Sequence, residues 1–270
     1  MSGAADQSRI DRRFASLRQK GEKALICFLA SGDPSPAVTL QAMKALEDAG
    51  TDIIELGIPF SDPIADGPVN QAAYVRALER GASVAEVFDV VKEFRKASET
   101  PVALMTYCNP VAQVGWLKFA GWCAQVGVDG VIPVDLPVDE AGEWIAACRS
   151  SGVDTIFLLA PTSSAARVRM VAEQAKGFIY CVSRTGVTGP REHLPADLPA
   201  MIGQVRALTE KPLVVGFGIS TPQQVAEVCR SADGAVVGSA LVETLASGEP
   251  NSMENLRRFA ASLKDATRSS

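Results

Sequence analysis

Only one histidine, His193, occurs in the 270 residues of this chain. A histidine-rich metal site is therefore excluded, and a Ser-His-Asp triad would have to use that one ring. The six cysteines, at positions 27, 108, 123, 148, 181 and 229, form no C-x-x-C pair. They read as small buried hydrophobes in a reducing cytoplasm. Neither a G-x-S-x-G elbow nor a phosphate-binding P-loop is present. Basic residues are the minority, 26 Lys and Arg against 31 Asp and Glu, for a net charge of −5. No basic run interleaves with aromatics, so no nucleic acid is expected as a partner. No apolar run is long enough to span a membrane, and MSGAADQSRIDRRF lacks the apolar core of a signal peptide, so no membrane association is expected.

Apolar residues make up 47% of the chain and charged residues 21%, enough for a large core. The first periodic stretch, 9–20, sets Ile10, Phe14 and Leu17 at helical spacing and stops at Gly21, an amphipathic helix that must cap something else. Eight short apolar runs follow: 24–30, 52–58, 101–108, 128–133, 153–161, 177–183, 211–219 and 233–239. Each is followed by a helical pattern: 39–50, then 70–81 with 84–97, then 115–126 after a loop with Asn109-Pro110, then a loop and helix over 135–152, then 163–175, about 198–209, 221–231, and after the eighth strand a helix and a last one near 251–266. Near-continuous apolar strands are parallel and covered on both faces. Eight such units predict an α/β fold, a (β/α)8 TIM barrel with an N-terminal capping helix and extra helices, over an open doubly wound sheet. No linker-like shift in composition interrupts residues 1–270, so one domain is expected, with a frayed TRSS tail.

The active site of such a barrel lies at the C-terminal ends of its strands. The second strand and its loop, DIIELGIPFSDPIADGP (52–68), carry Glu55 in an apolar run and then Asp62 and Asp66. A carboxylate in a buried strand is costly unless it is paired inside the barrel or has a chemical task. With a second acid on the following loop, the pattern suits proton transfer. Asp62, in Ser-Asp-Pro, and Asp135, before Leu-Pro, read more readily as turn and capping residues. The seventh strand ends in Gly216-Phe217-Gly218 and the eighth in Gly238-Ser239 before a helix. These glycines either make tight turns or let backbone N–H groups approach a phosphate. Thr221 stands where a dinucleotide fingerprint needs its third glycine. Tyr107, Tyr180 and Phe217 are either core or the wall of a site for a flat apolar ligand. No apolar strand has a lysine at its C-terminal end, which argues against a Schiff base.

ELGIPFSDPIADGP (55–68), GFIYCVSRTGVTG (177–189), PLVVGFGIS (212–220) and GAVVGSALV (234–242), with CFLASGDP (27–34) and LMTYCNP (104–110), together resemble the tryptophan synthase alpha chain family across essentially the whole chain. The first motif is highly specific; the glycine motifs are shared by many phosphate-binding barrels. The resemblance implies a carbon–carbon lyase that cleaves indole-3-glycerol phosphate to indole and glyceraldehyde 3-phosphate by a retro-aldol reaction. Glu55 and Asp66 match the catalytic pair. Gly189, Gly218 and Ser239, with Gly238 beside them, match the phosphate site. Phe28, Tyr107, Tyr180 and Phe217 match the indole pocket, and 184–198 matches a mobile loop whose Thr188 closes toward Asp66. The resemblance further implies an α2β2 complex in which indole passes to a beta chain for tryptophan synthesis. Pyridoxal phosphate belongs to that beta chain, with no cofactor or metal in this one. The surface facing the beta chain is expected around 59–64, 109–114 and 135–138. A stand-alone lyase that releases free indole is the alternative.

Overall fold

A computed structural model describes residues 7–183, 194–247 and 251–268. Among them are nine parallel strands: β1 (Ala24–Ala30), β2 (Ile53–Gly57), β3 (Val102–Thr106), β4 (Gly130–Pro133), β5 (Asp154–Thr155), β6 (Leu158–Leu159), β7 (Ile179–Val182), β8 (Leu213–Gly216) and β9 (Gly234–Val237). The helices are α1 (Arg9–Lys20), α2 (Pro36–Asp48), α3 (Pro68–Glu79), α4 (Val84–Phe94), α5 (Cys108–Val114), α6 (Trp116–Val126), α7 (Gly142–Ser151), α8 (Ala165–Gln174), α9 (Leu198–Arg206), α10 (Pro222–Cys229), α11 (Ser239–Ala246) and α12 (Ser252–Ala266).

The strand order is β5-β4-β3-β2-β1-β9-β8-β7-β6. Its two ends, β5 and β6, are halves of the expected fifth strand, separated only by Ile156 and Phe157. Ile156 N–H donates to Val131 O at 3.0 Å on one side, and Tyr180 N–H donates to Phe157 O at 3.0 Å on the other. One extended stretch thus changes partners midway and closes the ring. This reconciles eight expected strands with nine observed ones, and the fold is the α/β barrel that the spacing predicted.

Alternation along each strand divides the core in two. Ile54 and Leu56 of β2 face outward, in one cluster with Leu25, Cys27, Leu46 and Val91 beneath the helices. Ile53 faces inward with Ile26, Phe28, Ala103, Ile132, Tyr180 and Val214. Glu55 shares that inward parity, so the strand period alone points its carboxyl into the barrel. The capping helix α1 plugs one end: Ile10, Phe14 and Leu17 join the inner cluster, and the Phe14 ring lies 6.0 Å from Phe178. Ser8 starts α1 through a capping box with Asp11.

Two expectations are corrected here. Residues 108–114 form the short helix α5 rather than a loop. Pro110 is tolerated because first-turn N–H groups have no helical partner anyway, and Asp135 caps the turn by accepting from Cys108 N–H at 2.7 Å. The first residue of the TRSS tail is not frayed: Thr267 is fully buried, its hydroxyl donating to Lys264 O at 2.7 Å, while Ser269 and Ser270 lie outside the described residues.

Lys264 itself is buried. Its ammonium donates to Asp52 Oδ2 at 2.7 Å, and that oxygen also accepts from Leu25 N–H at 2.8 Å. This pair ties α12 to the starts of β1 and β2. Removing the cation leaves a buried carboxylate with only half-exposed Arg13 nearby, 3.7 Å away. We expect Lys264→Met to cost about 3 kcal/mol of unfolding free energy with the catalytic constants unchanged. Denaturant midpoints and steady-state rates measured together check this; an unaltered midpoint would show the pair to be neutral.

Candidate active site

The C-terminal mouth of the barrel holds a pocket with about 480 Å³ of space between its walls, some of it open to solvent. Phe28, Glu55, Asp66, Tyr180, Phe217, Gly218, Gly238 and Ser239 all line it, so most of the residues singled out from the sequence converge. Asn70, Met105, Ile219, Ser220 and Val236 complete the wall and were not anticipated. Thr188 and Gly189 lie outside the described residues, as does most of the expected loop 184–198.

Glu55 is the interior residue of β2 level with Phe28 of β1 and Ala103 of β3. It is 1% exposed, and its Oε2 has no hydrogen-bond partner among the described residues. Burial, and secondarily the nearby charge of Asp66, push its pKa up to about 8. At neutral pH Glu55 is therefore a protonated acid facing a pocket.

Asp66 is the contrasting carboxyl. It directly precedes Gly67, the cap residue of α3, so the helix N-terminus favours its charge. Its backbone is pinned: its N–H donates to Pro63 O at 3.0 Å, and Gln71 Nε2 donates to its carbonyl at 2.7 Å. Both carboxylate oxygens accept donors, Oδ2 from Tyr107 Oη at 2.7 Å and Oδ1 from Asn70 Nδ2 at 3.2 Å. Burial raises its pKa, and these two hydrogen bonds oppose the rise. Two nearby acids thus sit in unlike environments, one without a donor among the described residues and one with two, the kind of contrast that drives two carboxyl pKa values apart.

Tyr107 is not part of the pocket wall. Its ring stacks on Phe60 at 5.1 Å, and its hydroxyl accepts from Ala65 N–H at 3.0 Å while donating to Asp66. In the structure it stands behind Asp66. The remaining rings depend on missing side chains. A Cβ on Gly216 would fall 2.0 Å from Tyr180 Oη, and one on Gly57 would fall 2.2 Å from Tyr74 Oη and 2.7 Å from the Phe28 ring. The glycines at these strand ends therefore make room for aromatic rings, a function neither turn-making nor anion binding predicted. Phe217 has φ +72°, a conformation that costs a non-glycine residue about 1–3 kcal/mol. Ser183 Oγ holds its carbonyl at 2.5 Å, and its ring meets Tyr180 edge-on at 5.6 Å. This strain aims the ring into the mouth. Gly238 caps α11, whose first N–H groups lack helical acceptors, and Gly238, Ser239 and Gly218 all line the pocket.

Asn70 and Tyr74 were legible only as helix residues. They stand four and eight positions after Asp66, in the first and second turns of α3, on its buried face. That periodicity was the available signal.

A family model described as tryptophan synthase alpha chain matches residues 14–268. A tryptophan synthase alpha chain of Geobacter sp. (strain M21) is 50% identical over 258 residues, covering 95% of this chain and 97% of that one. One of Methylococcus capsulatus is 46% identical over 243 residues, 90% and 91% of the two chains. Among solved structures, tryptophan synthase subunit alpha from Legionella pneumophila aligns with a TM-score of 0.90 at 37% identity, over 97% of this chain and 99% of that one. Mycobacterium tuberculosis tryptophan synthase aligns with a TM-score of 0.90 at 37% identity, over 97% and 98%.

Proposed function

This chain belongs to the tryptophan synthase alpha chain family, whose subunit cleaves indole-3-glycerol phosphate and works with a beta subunit, and we propose that Glu55 and Asp66 carry that cleavage. The chemistry is that of a carbon–carbon lyase. Indole is a poor carbanion leaving group, so C3 must be protonated before the bond to the glyceryl chain breaks. Glu55, neutral at pH 7 because it is desolvated, supplies that proton. Asp66, whose two carboxyl oxygens each accept a donor that favours its charge, takes the hydrogen bond of the indole N–H as the ring gains positive charge. The Glu55 carboxylate then accepts the proton of the glyceryl hydroxyl while the C–C bond opens to the aldehyde. Glu55 gives one proton and regains one, so the cycle closes with indole and glyceraldehyde 3-phosphate.

Phe28, Tyr180 and Phe217 flank the indole ring, and backbone N–H groups around Gly218, Gly238 and Ser239 receive the phosphate, with Gly189 and Thr188 as further contacts of the loop. Among the described residues no lysine lines the pocket, so these walls offer no Schiff-base nucleophile. We assign pyridoxal phosphate to the beta partner, the assembly to α2β2, the whole chain to a single domain and its place to the cytoplasm. Among the described residues no helix is long and apolar enough to cross a membrane. Loop 59–64 suits the partner: Ile64 is 76% exposed, and Phe60 stacks on the tyrosine that holds Asp66.

The observation that carries this reading is the pairing of an unpartnered buried acid with a doubly donated carboxylate in one pocket. Indole release from indole-3-glycerol phosphate, measured with and without a tryptophan synthase beta chain, tests it. We expect slow release that rises at least about tenfold with the beta chain. Fast release indifferent to the beta chain would favour a stand-alone lyase, and no release in either case would remove the assignment.

A further inference from the structure

Buried polar side-chain atoms without a hydrogen bond are few in a folded protein, and each calls for a reason. Four such atoms occur among the described residues: Glu55 Oε2, Asn70 Oδ1, Tyr74 Oη and Trp144 Nε1. Glu55 and Asn70 line the active-site pocket, and Tyr74 stands one turn beyond Asn70 on the same buried face of α3. Three of the four therefore gather where the chemistry is proposed to occur.

Asn70 is the one of these that also makes a directed contact to a reacting group. Its Nδ2 reaches Asp66 Oδ1 at 3.2 Å. The proton inventory around Asp66 fixes which way its amide points. Tyr107 Oη accepts from Ala65 N–H, so its own proton is directed to Asp66 Oδ2. An ionised carboxylate only accepts, so the nitrogen of Asn70 must face it, and the amide oxygen must face away. That oxygen is left buried without a partner in the pocket wall. A residue chosen only for packing would not leave it so, because an unpaired buried carbonyl costs about 1–3 kcal/mol.

We propose that Asn70 is a positioning residue for the carbon–carbon cleavage, acting through Asp66: its amide N–H₂ holds the carboxylate turned to the pocket as a charged acceptor, opposite the hydroxyl of Tyr107. This rests on the assignment of Asp66 made above. Asp66 lies among groups that all disfavour its charge or are neutral: Glu55 from β2, Tyr74 from α3, Tyr180 from β7 and Tyr107 at the start of α5. Among the described residues no lysine or arginine forms an ion pair with it. Its ionisation therefore depends on neutral donors and on the start of α3, and among the described residues Asn70 is one of two side chains that donate to its carboxylate.

The test is the pH profile of kcat/KM for indole release by the chain saturated with its beta partner, for the parent, Asn70→Leu and Asn70→Ala, with Tyr107→Phe as the matching change on the other oxygen. Turnover needs Asp66 ionised and Glu55 protonated, so the profile is a bell. Loss of the Asn70 donor moves the acid limb up by about one pH unit, a roughly tenfold loss on that limb that fades toward the plateau. The basic limb, set by Glu55, stays in place. Tyr107→Phe moves the same limb in the same direction. The proposal is overturned if the acid limb keeps its position in both Asn70 variants, or if the rate falls by one factor at every pH, as a purely structural defect would produce. The alanine variant keeps the question open to measurement should leucine impair folding. A parent chain that releases no indole is a different failure, that of the proposed function.

Discussion

Glu55→Gln is expected to lower indole release by at least about 10³-fold while making the folded chain more stable at pH 8. The loss follows from the role: an acid that protonates carbon and then takes back a hydroxyl proton cannot be replaced by an amide. The gain in stability follows from where the acid sits. Its folded pKa is raised to about 8, because a charge there is desolvated and beside Asp66. In the unfolded chain a glutamate titrates near its ordinary value of about 4.3. Below that value both states are protonated, and the contribution of the residue to stability is fully present. As pH rises from there, the unfolded chain ionises freely while the folded chain must stay neutral, so stability is lost progressively through pH 8. Glutamine does not titrate. The difference between variant and parent should therefore be small at pH 4 and grow to about 1–3 kcal/mol at pH 8, reduced by the amide's own unmet N–H groups. Thermal midpoints across pH, beside single-turnover indole release, measure both halves. Turnover within tenfold of the parent would sink the catalytic assignment. A midpoint difference that does not change with pH would show that the site is not desolvated.

Asp66→Asn is expected to lower kcat by about 10²–10³-fold with little change in KM, and without the stability gain. The proposed ring pocket and phosphate cradle are untouched, so ground-state binding is expected to persist. What disappears is the negative charge that balances the cationic ring, an interaction that strengthens only as C3 is protonated. Stability moves the other way because Asp66, unlike Glu55, already has its donors. Tyr107 Oη and Asn70 Nδ2 both point hydrogens at the carboxylate, and an asparagine can accept only one of them without setting N–H against a donor. A destabilisation of about 1–2 kcal/mol at neutral pH is the expected sign. Steady-state kinetics and denaturation of one preparation decide the matter. A KM rise with kcat intact would make Asp66 a binding group and not part of the chemistry.

These two carboxyls also show how far a linear reading reaches. Glu55 could be placed inside the barrel before any coordinates, because strand parity sends it to the same side as Ile53 and opposite to Ile54 and Leu56. Asp66 could be placed at the mouth, because the loop after a barrel strand opens there. Tyr107 could not be placed as it stands. As an aromatic at the end of β3 it read as either core or pocket wall, yet Phe60 of the 59–64 loop packs on its ring, and its hydroxyl turns to Asp66, 41 positions earlier. Gly216 read as a turn or an anion contact, and Gly57 carried no reading of its own. That Gly57 and Gly216 are voids filled by the rings of Tyr74, Phe28 and Tyr180 depends on side chains from other elements.

The sequence by itself determined the periodicities: eight apolar strands each followed by a helix, the inward parity of Glu55, and the order of motifs that carries the family resemblance. Those features arise from local backbone preference and from the 2.0 and 3.6 residue repeats, which a chain states in its own order. The tertiary structure alone decided that the fifth strand splits at Ile156 and Phe157 to close the ring, that Asp135 caps α5, that Lys264 is buried against Asp52 across 212 positions, and that Asn70 donates to Asp66. Each of those is a pairing of polar groups or a ring closure between distant segments. Its energy depends on distances of a few ångströms that exist only once the barrel has closed and excluded water from the partners.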